Sequence, residues 1–109
     1  MSSELLRDPS ACEAYARDVS GLRAVPEAVA RPESASELHE LMVMASMDDA
    51  CVTAAGAQTS TTGASVATKG WLLSTRAMSR IIDIDPVART ARVEPGVLIG
   101  DLQLSLIHI

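Results

Sequence analysis

The sequence predicts a mixed α+β fold, a small mixed sheet packed with helices, on three observations. Residues 34–47 carry a capped helix with one apolar stripe. Short apolar runs at residues 51–54 and 71–75 flank a long uncharged stretch, as two buried strands joined by a loop would. Residues 82–85 and 90–94 alternate polar and apolar side chains on either side of a turn, the pattern of a hairpin. Strand, helix, strand, loop, strand, hairpin and helix in that order give a layered α+β arrangement.

Taken along the chain, Pro9 with Ala11, Ala14 and Ala16 predicts a short helix over residues 9–17, ended before Ser20-Gly21. Ala28-Val29-Ala30-Arg31 is a short β segment closed by Pro32. Ser34-Ala35-Ser36-Glu37 is a capping box, in which the Ser34 hydroxyl meets the Glu37 N–H and the Glu37 carboxylate reaches back. Behind it Leu38, Leu41, Met42 and Ala45 recur at helical spacing, to about Met47. Asp48-Asp49 turns the chain into Cys51-Val52-Thr53-Ala54, a buried strand, and Trp71-Leu72-Leu73-Ser74-Thr75 is a second. Residues 86–89 turn the hairpin, Pro95-Gly96 ends it, and a further helix spans residues 97–106.

Composition bounds the function classes. The chain has 109 residues, 48% of them hydrophobic and 21% charged, which suits one folded domain or part of one. Phe is absent and Trp and Tyr occur once each, so the core is built from small aliphatic side chains. Such a domain is marginal alone and gains stability from a cofactor or more chain. A net charge of -5 argues against a nucleic-acid partner. It leaves phosphate binding open, because a backbone nest acts locally. Cys12 and Cys51 match no metal spacing and are expected as reduced, buried thiols. The start Met1-Ser2-Ser3-Glu4 lacks the form of a secretory leader, and no stretch approaches the ~20 apolar residues of a membrane span. The expectation is a cytoplasmic protein, with peripheral membrane association left open.

The uncharged stretch, residues 50–68, centres on Ala55-Gly56-Ala57-Gln58-Thr59-Ser60-Thr61-Thr62-Gly63-Ala64-Ser65. Small residues let a backbone turn tightly and present N–H groups, and the Thr and Ser hydroxyls add donors. This suits an anion held by dipoles, and we read it as a diphosphate cradle. The loop lacks the Gly-Lys-Ser/Thr end of the Walker motif, and its glycines are too far apart for GxGxxG. Spacing alone therefore favours a plain flexible surface loop. Position favours the cradle, because the junction after a buried strand is where α/β folds place phosphates.

Four stretches, in order, carry a resemblance to a known family. Pro26-Glu27-Ala28-Val29-Ala30-Arg31-Pro32-Glu33-Ser34 looks like "P-x-A-V-V-x-P-x-S", with Glu37-Leu38 opening the next helix. Ala54-Ala55-Gly56-Ala57-Gln58-Thr59-Ser60-Thr61-Thr62-Gly63 looks like a pyrophosphate loop of the form R/A-G-x-G-T-S-x-x-G. Met78-Ser79-Arg80-Ile81-Ile82-Asp83-Ile84-Asp85 is similar to "M-N-R-I-x-x-I-D", and Val93-Glu94-Pro95-Gly96-Val97 with Asp101-Leu102 to "V-x-P-G-V-x-x-x-D-L". The family they resemble is the FAD-binding PCMH-type domain of the vanillyl-alcohol oxidase superfamily, closest in look to its D-lactate dehydrogenase and glycolate oxidase branch.

The resemblance implies an N-terminal subdomain of a PCMH-type FAD-binding domain, with FAD as cofactor. Its diphosphate would meet Ala55, Gly56, Ala57, Gln58, Thr59 and Ser60, with Gly63 letting the backbone come close. The family's Pro-Gly-Val turn lies near the flavin, which implicates Pro95, Gly96 and Val97, although a simple hairpin-ending turn accounts for them equally well. Gln58 stands where a third glycine is common, so a backbone without positive φ is expected there. Thr59 holds the position where other branches carry the His that bonds the flavin, which implies non-covalent FAD. The implied activity is a flavin-dependent oxidoreductase acting on a small 2-hydroxy acid. A sugar-lactone or alcohol oxidase, or a non-catalytic anion-binding module, stay as alternatives.

The resemblance gives residues 1–25 as a helical lead-in, 26–103 as the first half of the FAD-binding domain, and 104–109 as a tail unlike the family's continuation. Residues of the catalytic step are expected outside this span, so no catalytic or metal-binding residue is assigned. His39 on the polar helix side and His108 in the tail carry no constellation. Asp83 and Asp85 share a strand face toward solvent. Met42, Met44 and Met47 are expected in packing, and Lys69 and Arg76 as surface charges that could still draw phosphate.

Overall fold

Asp8 opens the first ordered helix of the chain by accepting the Ala11 N–H at 3.1 Å, and Pro9 fills a first-turn position that needs no N–H donor. The computed structural model describes residues 5–107, so His108 lies outside the described residues. The elements are β1 (Leu5–Leu6), α1 (Pro9–Glu13), β2 (Ala28–Ala30), α2 (Ala35–Met47), β3 (Val52–Ala55), β4 (Trp71–Ser74), β5 (Ile81–Asp85), β6 (Thr90–Val93) and α3 (Ile99–Ile107). α1 is shorter than its sequence suggests. Past Glu13 the chain tightens, with Tyr15 and Ala16 N–H groups bonding three residues back, and the Ala16 carbonyl is taken by the Ala24 N–H at 3.0 Å. That bond folds residues 17–23 back on the helix end.

Two sheets result. The larger runs β1-β2-β4-β3, with β2, β4 and β3 parallel and β1 antiparallel at the edge. β4 therefore enters between the two strands that precede it, and the described residues confirm the mixed α+β class read from the sequence. β1, with two residues, has too little length for any periodic signal.

The pleat sorts the core into two layers. Ala28, Ala30, Trp71 and Leu73 face α2, where Leu41 and Ala45 are buried and Leu38 and Met44 pack beside them. Val29, Leu72 and Ala55 face the other way, onto Cys12, Ala67, Leu6 and Tyr15. The α2 stripe thus runs through Met44, while Met42 and Met47 point to solvent at 46% and 81% exposure. The two extra methionines are turned off the packed face by helical geometry, which corrects their expected packing role. Ser34 caps α2 by accepting the Glu37 N–H at 3.2 Å, and the Glu37 carboxylate accepts the Glu33 N–H at 2.8 Å. Losing such a cap typically costs about 1 kcal/mol.

β5 and β6 form a separate antiparallel hairpin, irregular between Ile81 and Asp83. Asp85 is not simply solvated, because its carboxylate accepts the Val87 and Ala88 N–H groups at 3.0 and 3.1 Å and closes the turn. Cys12 is buried and free, and burial pushes its thiol pKa up. Cys51 is free but exposed, a correction to its expected burial, because it lies just before the edge strand β3. Among the described residues, no helix is long and apolar enough to cross a membrane.

Candidate functional site

Three parallel strands end on one edge of the larger sheet, so the chain segments leaving β2, β3 and β4 are gathered there. β3 ends at buried Ala55 and runs directly into the uncharged loop. The Ala55 carbonyl accepts the Thr75 N–H at 2.9 Å and the Thr75 hydroxyl at 3.4 Å. Thr75 is the first residue after β4, so it ties the loop to the central strand.

The second predicted segment converges on the same residue. Gly96 donates its N–H to the Met78 carbonyl at 2.8 Å, and the Met78 N–H bonds the Thr75 carbonyl at 2.9 Å. A Cβ on Gly96 would lie 1.9 Å from the Thr75 carbonyl oxygen, closer than any side chain can come. Gly96 is therefore required by backbone contact alone. Val97 is half-buried, with its N–H on the Glu94 carbonyl at 3.2 Å, and Pro95 is exposed. The 55–60 loop and the 95–97 turn thus both abut Thr75, a residue that sequence reading treated only as a strand end. Its signal was available: a hydroxyl at the carboxyl end of a buried strand.

Within the loop, Ala57 and Thr59 are exposed, and Gly56, Gln58, Ser60 and Gly63 are half-buried. The Ser60 and Thr62 hydroxyls lie 3.1 Å apart, and the Thr62 N–H donates to Ser60 at 3.3 Å. Among the described residues, the N–H groups of Ala57, Gln58, Thr59, Ser60 and Thr61 bond no protein acceptor. A run of free N–H donors with neighbouring hydroxyls and no carboxylate of its own is the donor set a diphosphate needs. The residues present therefore fit the phosphate bridge of a dinucleotide.

Gln58 corrects the sequence expectation. Its φ is +56°, in the left-handed region. That conformation costs a non-glycine residue about 1–2 kcal/mol. The offset comes from its own amide, which donates to the Tyr15 and Ser65 carbonyls at 2.9 Å each. Gly63, at φ +83°, is the second left-handed position, and a Cβ there would strike the Leu22 side chain at 2.5 Å.

The base of the loop is polar and paired. Ser65 is buried and donates its hydroxyl to Asp18 at 3.1 Å. The Ser20 hydroxyl and N–H also bond Asp18, and these donors hold its carboxyl below the usual range. Asp18 and Tyr15 carry no local signal, because their role depends on contacts across 47 and 43 positions, and Ser20 acts through its bonds to Asp18. Lys69 lines a polar hollow with Asp48, Asp49 and Cys51 at the amino ends of the strands, away from the loop mouth. Arg76 is exposed after β4, and His39 is exposed on α2.

Comparison with known proteins gives the family and the fold. Residues 26–108 match the family described as FAD binding domain. Two uncharacterized FAD-linked oxidoreductases of Mycobacterium tuberculosis are 32% identical over 104 residues, covering 93% of this chain. The chain spans 23% of the length of those relatives. Among solved structures, 6-hydroxy-D-nicotine oxidase from Arthrobacter nicotinovorans superposes with a TM-score of 0.79 at 25% identity, over 99% of this chain and 24% of that one. A BBE-like 1 variant of Physcomitrella patens gives a TM-score of 0.80 at 20% identity, over 97% and 24%. The fold is that of PCMH-type FAD-binding domains, and the chain belongs to the FAD binding domain family of flavin-linked oxidoreductases.

Proposed function

We propose that residues 55–60 and 63 hold the FAD diphosphate, non-covalently, and that Pro95, Gly96 and Val97 border the flavin. The observation that carries this reading is the row of free N–H groups from Ala57 to Thr61, at the carboxyl edge of three parallel strands. Bonds from N–H or hydroxyl to a charged phosphate oxygen contribute about 1.5–3 kcal/mol each, offset by desolvation of the anion. The flavin, when bound, supplies the hydride-accepting chemistry, and the chain supplies binding and orientation. Thr59 supports the non-covalent mode, since no His lies in the loop to bond the isoalloxazine.

For the whole protein we propose oxidation of a small 2-hydroxy acid, in the cytoplasm. The look of the four motif stretches, closest to the D-lactate dehydrogenase and glycolate oxidase branch, supports the substrate class, and the two unpaired thiols support the compartment. We take the catalytic step to belong to the part of the relatives' length that this chain does not span.

The test is flavin retention by the protein expressed from its intact gene. A Cβ on Gly56 would have only the Thr75 hydroxyl near it, at 3.8 Å, so Gly56→Asp fits sterically and sets a carboxylate against the diphosphate. The expected result is loss of the flavin absorbance band, while Val87→Asp at the 94% exposed hairpin turn keeps it. Full flavin occupancy in Gly56→Asp rejects the loop assignment. Acid precipitation of the wild type should release the flavin into the supernatant, and colour in the pellet rejects non-covalent binding. Turnover of a sugar lactone or alcohol in place of D-lactate or glycolate rejects the substrate class.

A further inference from the structure

The loop's shape is set in part from outside the loop. Gln58 is one of three described non-glycine residues at positive φ, and the other two, Asp49 and Arg89, sit at a helix end and in the hairpin turn. Gln58 instead sits within the donor row, immediately before Thr59 and Ser60. Both acceptors that its side chain reaches are carbonyls, Tyr15 and Ser65 at 2.9 Å, so only the amide nitrogen can face them and both of its hydrogens are used. The Ser65 hydroxyl is itself tied to Asp18 at 3.1 Å, and the Leu22 side chain fills the space beside the Gly63 Cα. Residues 15–22 thus strap the loop at three points. They lie before residue 26, where the match to the FAD binding domain family begins.

We propose that Gln58 is a positioning residue for the cofactor's diphosphate, and that residues 15–22 form the strap through which it acts. The tie presets the left-handed turn at Gln58, so the N–H groups that follow are aimed before the nucleotide arrives. A loop already ordered in its binding shape loses less conformational freedom when the ligand docks, which raises affinity without any new contact. The inference rests on the diphosphate reading given above.

The experiment measures FAD and ADP affinity on the apoprotein expressed from the intact gene, together with its melting temperature and circular dichroism. Gln58→Glu keeps the shape but cannot donate to two carbonyls. We expect FAD and ADP, which share the diphosphate, to bind at least tenfold more weakly while the apoprotein remains folded. Gln58→Gly is measured beside Gln58→Glu, since glycine accepts the turn, lacks only the tie and adds no carboxylate near the diphosphate, and the same loss is expected. A folded variant that binds FAD within twofold of wild type overturns the proposal, even if its melting temperature has fallen, because a purely structural tie would do that. Gly56→Asp separates the two levels of the argument. Flavin lost in Gly56→Asp but kept in the Gln58 variants rejects the strap alone, and flavin kept in Gly56→Asp rejects the loop reading beneath it.

Discussion

Gly96 and Gln58 illustrate how single residues constrain this chain in opposite ways. Gly96 is required because there is no room: its Cα faces the Thr75 and Met78 carbonyl oxygens, which a Cβ would meet at 1.9 and 2.7 Å. Neither neighbour can swing aside, since both are backbone. Gly96→Ala should therefore lower stability by about 1–3 kcal/mol, read as a fall in melting temperature or denaturant midpoint. Gly100→Ala in α3 meets nothing within 4 Å and should be neutral or slightly stabilising. Equal melting temperatures for the two variants would contradict the contact. Gln58 keeps a backbone shape that glycine usually supplies, and it does so through its side chain. The sequence could identify the departure at Gln58 but not its resolution, because the compensating carbonyl of Tyr15 is 43 positions away.

At the scale of elements, local signals were the legible ones. α2 declares itself through Ser34 and Glu37 and ends at Met47 as its periodicity indicated. The hairpin of β5 and β6 follows from alternation and the turn between Asp85 and Thr90. α1 was overestimated, because the Ala24 bond that ends it is not a local signal. Of the three methionines expected in packing, Met44 packs while Met42 and Met47 are exposed, since the stripe is set by where Trp71 and Leu73 lie.

Glu94 closes the open end of the hairpin, pairing with Arg80 just before β5. Its carboxylate accepts the Arg80 N–H at 2.8 Å and the guanidinium Nε at 3.1 Å, and its own N–H returns to the Arg80 carbonyl. The backbone donor first, and the Arg80 guanidinium second, hold the Glu94 carboxyl below its usual range. A carboxyl depressed in the folded state adds stability above its unfolded pKa, and that stability is lost as pH falls through the folded value. The expected outcome is that wild type loses melting temperature more steeply than Glu94→Gln as pH falls below about 4.5. Parallel curves for the two proteins would contradict the pairing.

Across the whole molecule, the sheet supplies a rigid edge and the loops supply the donors. The parallel order of β2, β4 and β3 brings the segments after all three strands together, and Thr75 links the two candidate segments. That convergence was not legible from spacing, since it depends on β4 inserting between its predecessors. What was legible was the chemistry, an uncharged donor-rich loop after a strand, although β3 is an edge strand buried only at Ala55 and not the buried strand expected. The described portion of α3 contributes no buried residue, and Ile99 and Ile107 on it are 69% and 74% exposed.

The most direct measurement is a crystal structure of the protein from its intact gene with FAD bound. The diphosphate should lie within hydrogen-bond reach of the N–H groups of Ala57, Gln58, Thr59 and Ser60, with the flavin beside Gly96. Phosphoryl groups held elsewhere, with these N–H groups facing only water, would contradict the assignment.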